Sequence, residues 1–163
     1  MRRSGADALT IRPGEPRDLG ALLAIEATVF PTARLSRRSL RRLLDRPSAR
    51  LLVAEHAGRP VGYALVLLRR NSRVARLYSI GRAADAPVDG IGARLLEAAE
   101  IAARRAGADT MRLEVRPDNT NALRLYERSG YRAFARSAHY YEDGAGALRL
   151  QKKLDGDTAC PAG

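Results

Sequence analysis

Two glycines open the stretch of this sequence best suited to hold a ligand. "VDGIGARLLEAAE" (88–100) sets Gly90 and Gly92 at the head of a run of strong helix formers. The first N–H groups of a helix have no partner inside it, and they sit at the positive end of its dipole. Backbone N–H groups over 90–94 could therefore hold a diphosphate, with the glycines letting the anion approach closely. The alternative is a tight strand-to-helix turn and nothing more. Two other side chains could move protons. Glu114 lies in "TMRLEVR" (110–116), where alternation sets Met111, Leu113 and Val115 on one face and Arg112, Glu114 and Arg116 on the other. A carboxylate there is a proton acceptor or one half of an ion pair with Arg112 or Arg116. Tyr126, one element later, is a hydroxyl donor or an amphipathic core residue. No Ser-His-Asp set and no nucleophilic cysteine context stands out. His56 and His139 lack metal-ligand spacing and read as surface residues, so no metal is expected.

The elements that must position these residues form one domain. The chain has 163 residues, 45% hydrophobic and 29% charged, enough for a sizeable core. Lys plus Arg is 29 and Asp plus Glu is 18, a net charge of +11. Such a balance suits polyanionic partners: nucleotide phosphates, nucleic-acid or ribosome surfaces, acidic peptides. It equally suits arginine as the solubilising residue. The chain has six tyrosines and two phenylalanines, and none is expected to interleave with the arginines as a base-stacking platform would require. A single cysteine, Cys160, excludes an internal disulfide and fits a reducing cytoplasm. No apolar run is long enough to span a membrane, and "MRRSGADAL" lacks a signal-peptide core.

Along the chain, "LTIRPG" (9–14) predicts a strand, and "EPRDLGALLAIEATVF" (15–30) a helix begun near Glu15 or Asp18 and stopped by Pro31. "SRRSLRRLLDRPSA" (36–49) predicts a second helix, N-capped by Ser36, with Leu40, Leu43 and Leu44 inward. A hairpin follows over 50–70, turning at "HAGRP", and then a strand over 72–80. The long helix spans 90–107, with Leu95, Leu96, Ala99, Ile101 and Ala102 inward. A strand over 110–116, a capped helix over 118–130, and strands over 131–136 and 147–154 complete a domain of residues 1–154. Residues 155–163 read as a disordered tail.

Four stretches resemble the GNAT superfamily of acyl-CoA-dependent N-acetyltransferases: "ARLYSI" (75–80), "GIGARLLEAAE" (90–100), "LEVRPDNTNALRLYERSGY" (113–131) and "YYEDGAGALRLQKKL" (140–154). The likeness is greatest to the branch that acetylates ribosomal-protein N-termini, and it covers roughly residues 9–154. It implies an α/β, layered α+β fold: a mixed, mostly antiparallel sheet of about seven strands, about four helices, and splayed fourth and fifth strands. It implies acetyl-CoA as co-substrate, with the pantetheine arm in the splay against Ile80, Gly81 and Arg82. The diphosphate would lie on Asp89, Gly90, Ile91, Gly92, Ala93 and Arg94, with Asn119 as helix cap, pantetheine contact or both. By the same resemblance Glu114 is the base that frees the amine and Tyr126 the donor to the departing sulfur. Phe30 and Pro31 would form one wall of the acceptor site and Tyr140 and Tyr141 the other.

The segment before the glycines departs from the family pattern. Pro87 stands where a glutamine or arginine is usual, Asp89 adds a negative charge, and Arg82 replaces an apolar residue. The backbone cradle survives these changes, and Arg82, Arg94 or Arg104 could offset the charge. The expected function is acetyl transfer to a peptide or protein N-terminus by a monomer or homodimer. The alternatives are a small-amine acceptor, or a non-catalytic module bound to RNA or the ribosome.

Overall fold

The computed structural model describes residues 8–29, 35–138 and 146–154. Phe30, Pro31, His139, Tyr140, Tyr141 and the 155–163 tail lie outside the described residues. Seven strands form one sheet: β1 (Thr10–Pro13), β2 (Ala49–His56), β3 (Arg59–Leu67), β4 (Val74–Arg82), β5 (Thr110–Val115), β6 (Arg132–Ser137) and β7 (Ala147–Lys153). Their order is β1-β2-β3-β4-β5-β7-β6. Every neighbouring pair is antiparallel except β4 and β5. Those two run parallel and pair only over Val74–Arg76 and Thr110–Arg112. Beyond that point β4 stays with β3 and β5 stays with β7, so the sheet opens between them.

Four helices cover the sheet: α1 (Leu19–Val29), α2 (Arg37–Leu44), α3 (Ile91–Arg105) and α4 (Thr120–Arg128). Burial of Leu19, Leu22, Ile25 and Leu40 against Val53, Tyr63 and Leu65 seats α1 and α2 on one face. Leu95, Leu96, Ala99 and Tyr126 bury against Met111, Leu113 and Leu77, which seats α3 and α4 on the other. Burial of apolar area is the dominant favourable term in both layers.

Local chemistry sets the helix starts. Ser36 accepts a hydrogen bond from Ser39 N at 3.0 Å, the expected cap. At the first helix, a short 3-10 turn (Pro16–Asp18) precedes α1. Asp18 accepts there from Glu15 N at 2.8 Å and, through both oxygens, from Arg12 at 2.8 Å. On α3, Ile101 and Ala102 are only half-buried, whereas Glu100 and Ala103 are buried. Ile101 lies about 200° round the helix from Ala99, so it cannot share that inward stripe. The helix instead carries an acid, Glu100, into the core, where Tyr131 Oη and Lys152 Nζ each donate to it at 2.9 Å.

Candidate active site

A bulge in β4 decides what faces the opening. Leu65 pairs with Ser79 and Val66 with Leu77, which leaves Tyr78 as the extra residue. An extra residue reverses the in–out alternation of everything after it. Ala75 and Leu77 therefore point to the α3 layer, while Ser79 points to the α1 layer. Ser79 meets Tyr63 Oη there at 2.7 Å, and Tyr63 Oη donates in turn to Glu26 Oε1. Glu26 also accepts from Leu35 N at 2.7 Å, so it ties the end of α1 to the approach to α2. Glu26, Tyr63 and Ser79 are all buried. The sequence reading missed this cluster, although one signal was present: Glu26 is a lone acid in the apolar run "ALLAIEATVF".

Burial holds the Tyr63 phenol far above the ordinary tyrosine pKa, helped by its bond to Glu26. Burial raises Tyr131 likewise, reinforced by the charge of Glu100. A raised folded-state pKa on an acid means that stability is complete below the unfolded value of about 10 and is lost as pH rises past it. Urea unfolding followed from pH 8 to 11.5 should show stability level to about pH 10. It should then fall by up to about 1.4 kcal/mol per pH unit for each tyrosine. Tyr131→Phe should flatten that fall; an unchanged slope would mean the phenol ionises freely in the folded state.

Glu114 lies on β5 just past the last β4–β5 pair, on the face opposite Met111, Leu113 and Val115. Its side chain is 8% exposed and faces Arg76, with Nη2 at 2.6 Å and Nε at 2.8 Å from Oε1. Arg149 Nε lies 3.6 Å from Oε2. These two arginines come from the neighbouring strands, which only pairing register reveals, and they add to the same-strand candidates Arg112 and Arg116. Tyr126 belongs to the core cluster on the α3 side of the sheet. It is buried on α4 and packs edge-on against Tyr131, ring centroids 5.8 Å apart at 62°.

The glycine-led helix start is open at its first residue. Gly90 is the N-cap with φ +79°, a conformation that a side chain would strain, and a Cβ there would meet nothing within 4 Å. The first α3 bond runs from Arg94 N to Gly90 O, so the N–H groups of the first turn before it have no intrahelical partner. Asp89 and Ala93 are exposed, while Ile91 is buried under the helix start. Arg82 Nη2 donates to Ala86 O at 3.2 Å and Arg94 Nη2 to Leu9 O at 3.3 Å, so both guanidinium groups stay near this end of α3. Arg104 does not: it lies in the last turn, about 18 Å along the axis from Gly92, and cannot offset Asp89.

Backbone direction separates the three β4 residues. Ala83 N donates to Val61 O, so alternation turns Gly81 toward β3 and turns the N–H and C=O of Ile80 and Arg82 into the opening. Asn119 caps α4 through its side-chain oxygen, which accepts from Ala122 N at 3.2 Å. His56 is half-buried, and its Nδ1 is enclosed with no hydrogen-bond partner, so it is not a plain surface residue. No cluster of three metal-ligating residues occurs among the described residues. No helix among them is long and apolar enough to cross a membrane.

Residues 20–131, a span from the first turn of α1 through α4 that includes the opening between β4 and β5, match the Acetyltransferase (GNAT) family. The chain belongs to that family. An uncharacterised N-acetyltransferase of Methanocaldococcus jannaschii is 33% identical over 146 residues, 89% of this chain and 92% of its own length. Ard1 from Thermoplasma volcanium superposes with a TM-score of 0.80 at 28% identity, over 90% of this chain and 97% of its own. A ribosomal-protein-alanine N-acetyltransferase from Escherichia coli gives 0.78 at 25% identity, over 90% and 94%. This GNAT chain is an N-acetyltransferase with the single-domain, open mixed sheet of its family.

Proposed function

We propose that this acetyltransferase takes its acetyl group from acetyl-CoA and delivers it to the N-terminal amine of a peptide or protein. One observation carries the reading: the sheet opens just past the Arg76–Arg112 pair, with Glu114 on one face and Tyr126 borne by the helix on the other. The likeness to Ard1 and to a ribosomal-protein acetyltransferase supports a polypeptide acceptor.

The residues present fit the donor. Backbone N–H groups at Ile91, Gly92 and Ala93 would hold its diphosphate, and Ile80 and Arg82 would pair with its extended arm. Bound there, acetyl-CoA supplies an activated thioester. Only a free amine is nucleophilic, so Glu114 takes a proton from the acceptor ammonium at a carboxylate oxygen. Tyr126 would supply its hydroxyl proton to the departing sulfur.

Calorimetric titration with acetyl-CoA, paired with an acceptor screen of peptides and small amines, tests both halves. Micromolar binding and peptide acetylation are expected. No binding at millimolar acetyl-CoA overturns the donor assignment, and turnover of polyamines or amino acids alone overturns the acceptor. Asp89 is exposed, so its charge acts through water-like dielectric and costs only about 1 kcal/mol. Asp89→Asn should therefore tighten acetyl-CoA binding by less than tenfold. A larger gain in the same titration would mean that Asp89 blocks the cradle directly.

A further inference from the structure

Among the described residues, helices cover the half of the sheet beyond β4 on one side. Residues α3 and α4 bury lie on one face, and α1 and α2 pack against β2, β3 and β4 on the other. The opposite face of β5, β7 and β6 carries mostly polar side chains among the described residues. The register sets Glu114 beside Arg149, Arg112 beside Gln151, and Thr110 beside Lys153. β6 adds Arg132 opposite Gln151 and, at a bulge, an exposed Phe134. The guanidinium centres of Arg112 and Arg149 lie 4.8 and 5.2 Å from the Phe134 ring centroid. At the far end Thr110, Arg112, Arg132, Gln151 and Lys153 line a shallow depression of about 580 Å³. At the opening, Arg76 stacks on Tyr78, 5.5 Å from its centroid, and Tyr78 is 45% exposed.

This corrects the expectation that aromatics and arginines are not interleaved. Arg76 and Tyr78 are neighbours on β4, and strand pairing brings Arg112 and Arg149 to Phe134 from β5 and β7. The face is basic and about 13 Å long from Glu114 to Thr110 at strand rise. We propose that it binds single-stranded RNA. Charge complementarity calls for a polyanion, and Arg112, Arg132, Arg149 and Lys153 outnumber the one carboxylate, Glu114, that the strand register sets among them. The ring contacts select among polyanions. Guanidinium groups over an aromatic ring, with the exposed ring itself, offer surfaces on which bases stack, whereas a carboxylate binds a guanidinium edge and gains nothing from the ring. The inference does not depend on the acceptor in the acetyl transfer.

The test is fluorescence anisotropy of the whole chain with a labelled 12-nucleotide RNA, in 50 and 200 mM KCl, with poly-glutamate as competitor. Four phosphate contacts on a single strand give a salt slope near −2.8, so affinity should drop about 50-fold between the two salts. Phe134→Ser should weaken binding about tenfold with the slope kept, since base stacking is lost and no cation is. Arg132→Glu with Lys153→Glu should weaken binding and flatten the slope. All three substitutions are at exposed positions, and unchanged melting temperatures will show that the variants fold. No RNA binding at 50 mM KCl overturns the proposal. So does full binding by both variants. Displacement by poly-glutamate at equal charge concentration, with Phe134→Ser silent, also overturns it and assigns the face to an acidic polypeptide.

Discussion

Glu114→Gln should cut turnover by about 10² to 10³ while leaving acetyl-CoA affinity unchanged. Glutamine keeps the shape of the side chain but takes up no proton. The mutant enzyme must wait for an acceptor that is already deprotonated, and an α-amine has a pKa near 8. Its rate should therefore climb about tenfold per pH unit up to about pH 8, closing part of the gap to the wild type. The alternative is structural: Arg76 and Arg149 lose their counter-charge, and the opening between β4 and β5 distorts. That would lower the melting temperature and reduce the rate equally at every pH. Tyr126→Phe separates the other half of the chemistry. It keeps the edge-on packing against Tyr131 and removes only the hydroxyl. Its rate should fall with no pH rescue, because the missing proton belongs to the leaving-group side. Steady-state rates from pH 6 to 9.5, with thermal melts of each variant, distinguish these outcomes.

Local patterns carried much of the fold. Period-two alternation over 110–116 sets Glu114 apart from Met111, Leu113 and Val115, and the structure buries those three on the α3 side. Gly90 marked the start of α3, because the left-handed conformation there suits glycine. What escaped was whatever depends on register between strands. Ser79 faces Tyr63 and Glu26 only because Tyr78 is extruded from β4, and nothing in "ARLYSIGR" announces an extra residue. Arg149 meets both Glu114 and Phe134 because β7 inserts between β5 and β6, an order that no local pattern encodes. Helix length settled Arg104. Its charge looked usable in sequence, but α3 carries it to the wrong end of the rod.

Gly62→Ala should damage fold and donor binding together, because one contact serves both. Gly62 lies on β3 opposite Arg82, where α3 begins its course across the sheet. A Cβ there would stand 2.8 Å from Ile91 Cγ2, 3.0 Å from Leu95 Cδ1 and 3.0 Å from Gly81 O. Ile91 and Leu95 are fully buried, and Gly81 O is backbone, so none of the three can step aside. The first turn of α3 must back away from β3 instead, and overpacking of this kind costs about 1–3 kcal/mol. The same shift moves the N–H groups of Ile91, Gly92 and Ala93 relative to Ile80 and Arg82, which hold the other part of the donor. Acetyl-CoA affinity should fall about tenfold, roughly 1.4 kcal/mol. Gly20→Ala is the control. Gly20 is exposed within α1, and a Cβ there meets nothing within 4 Å. That change should raise stability by about 0.4–1 kcal/mol and leave binding alone. Urea unfolding and calorimetry on both variants read the two effects separately. If Gly62→Ala unfolds like the wild type, α3 yields at no cost and the packing argument fails. If it destabilises without weakening binding, the cradle is set by the 83–90 loop rather than by the seat of α3 on β3.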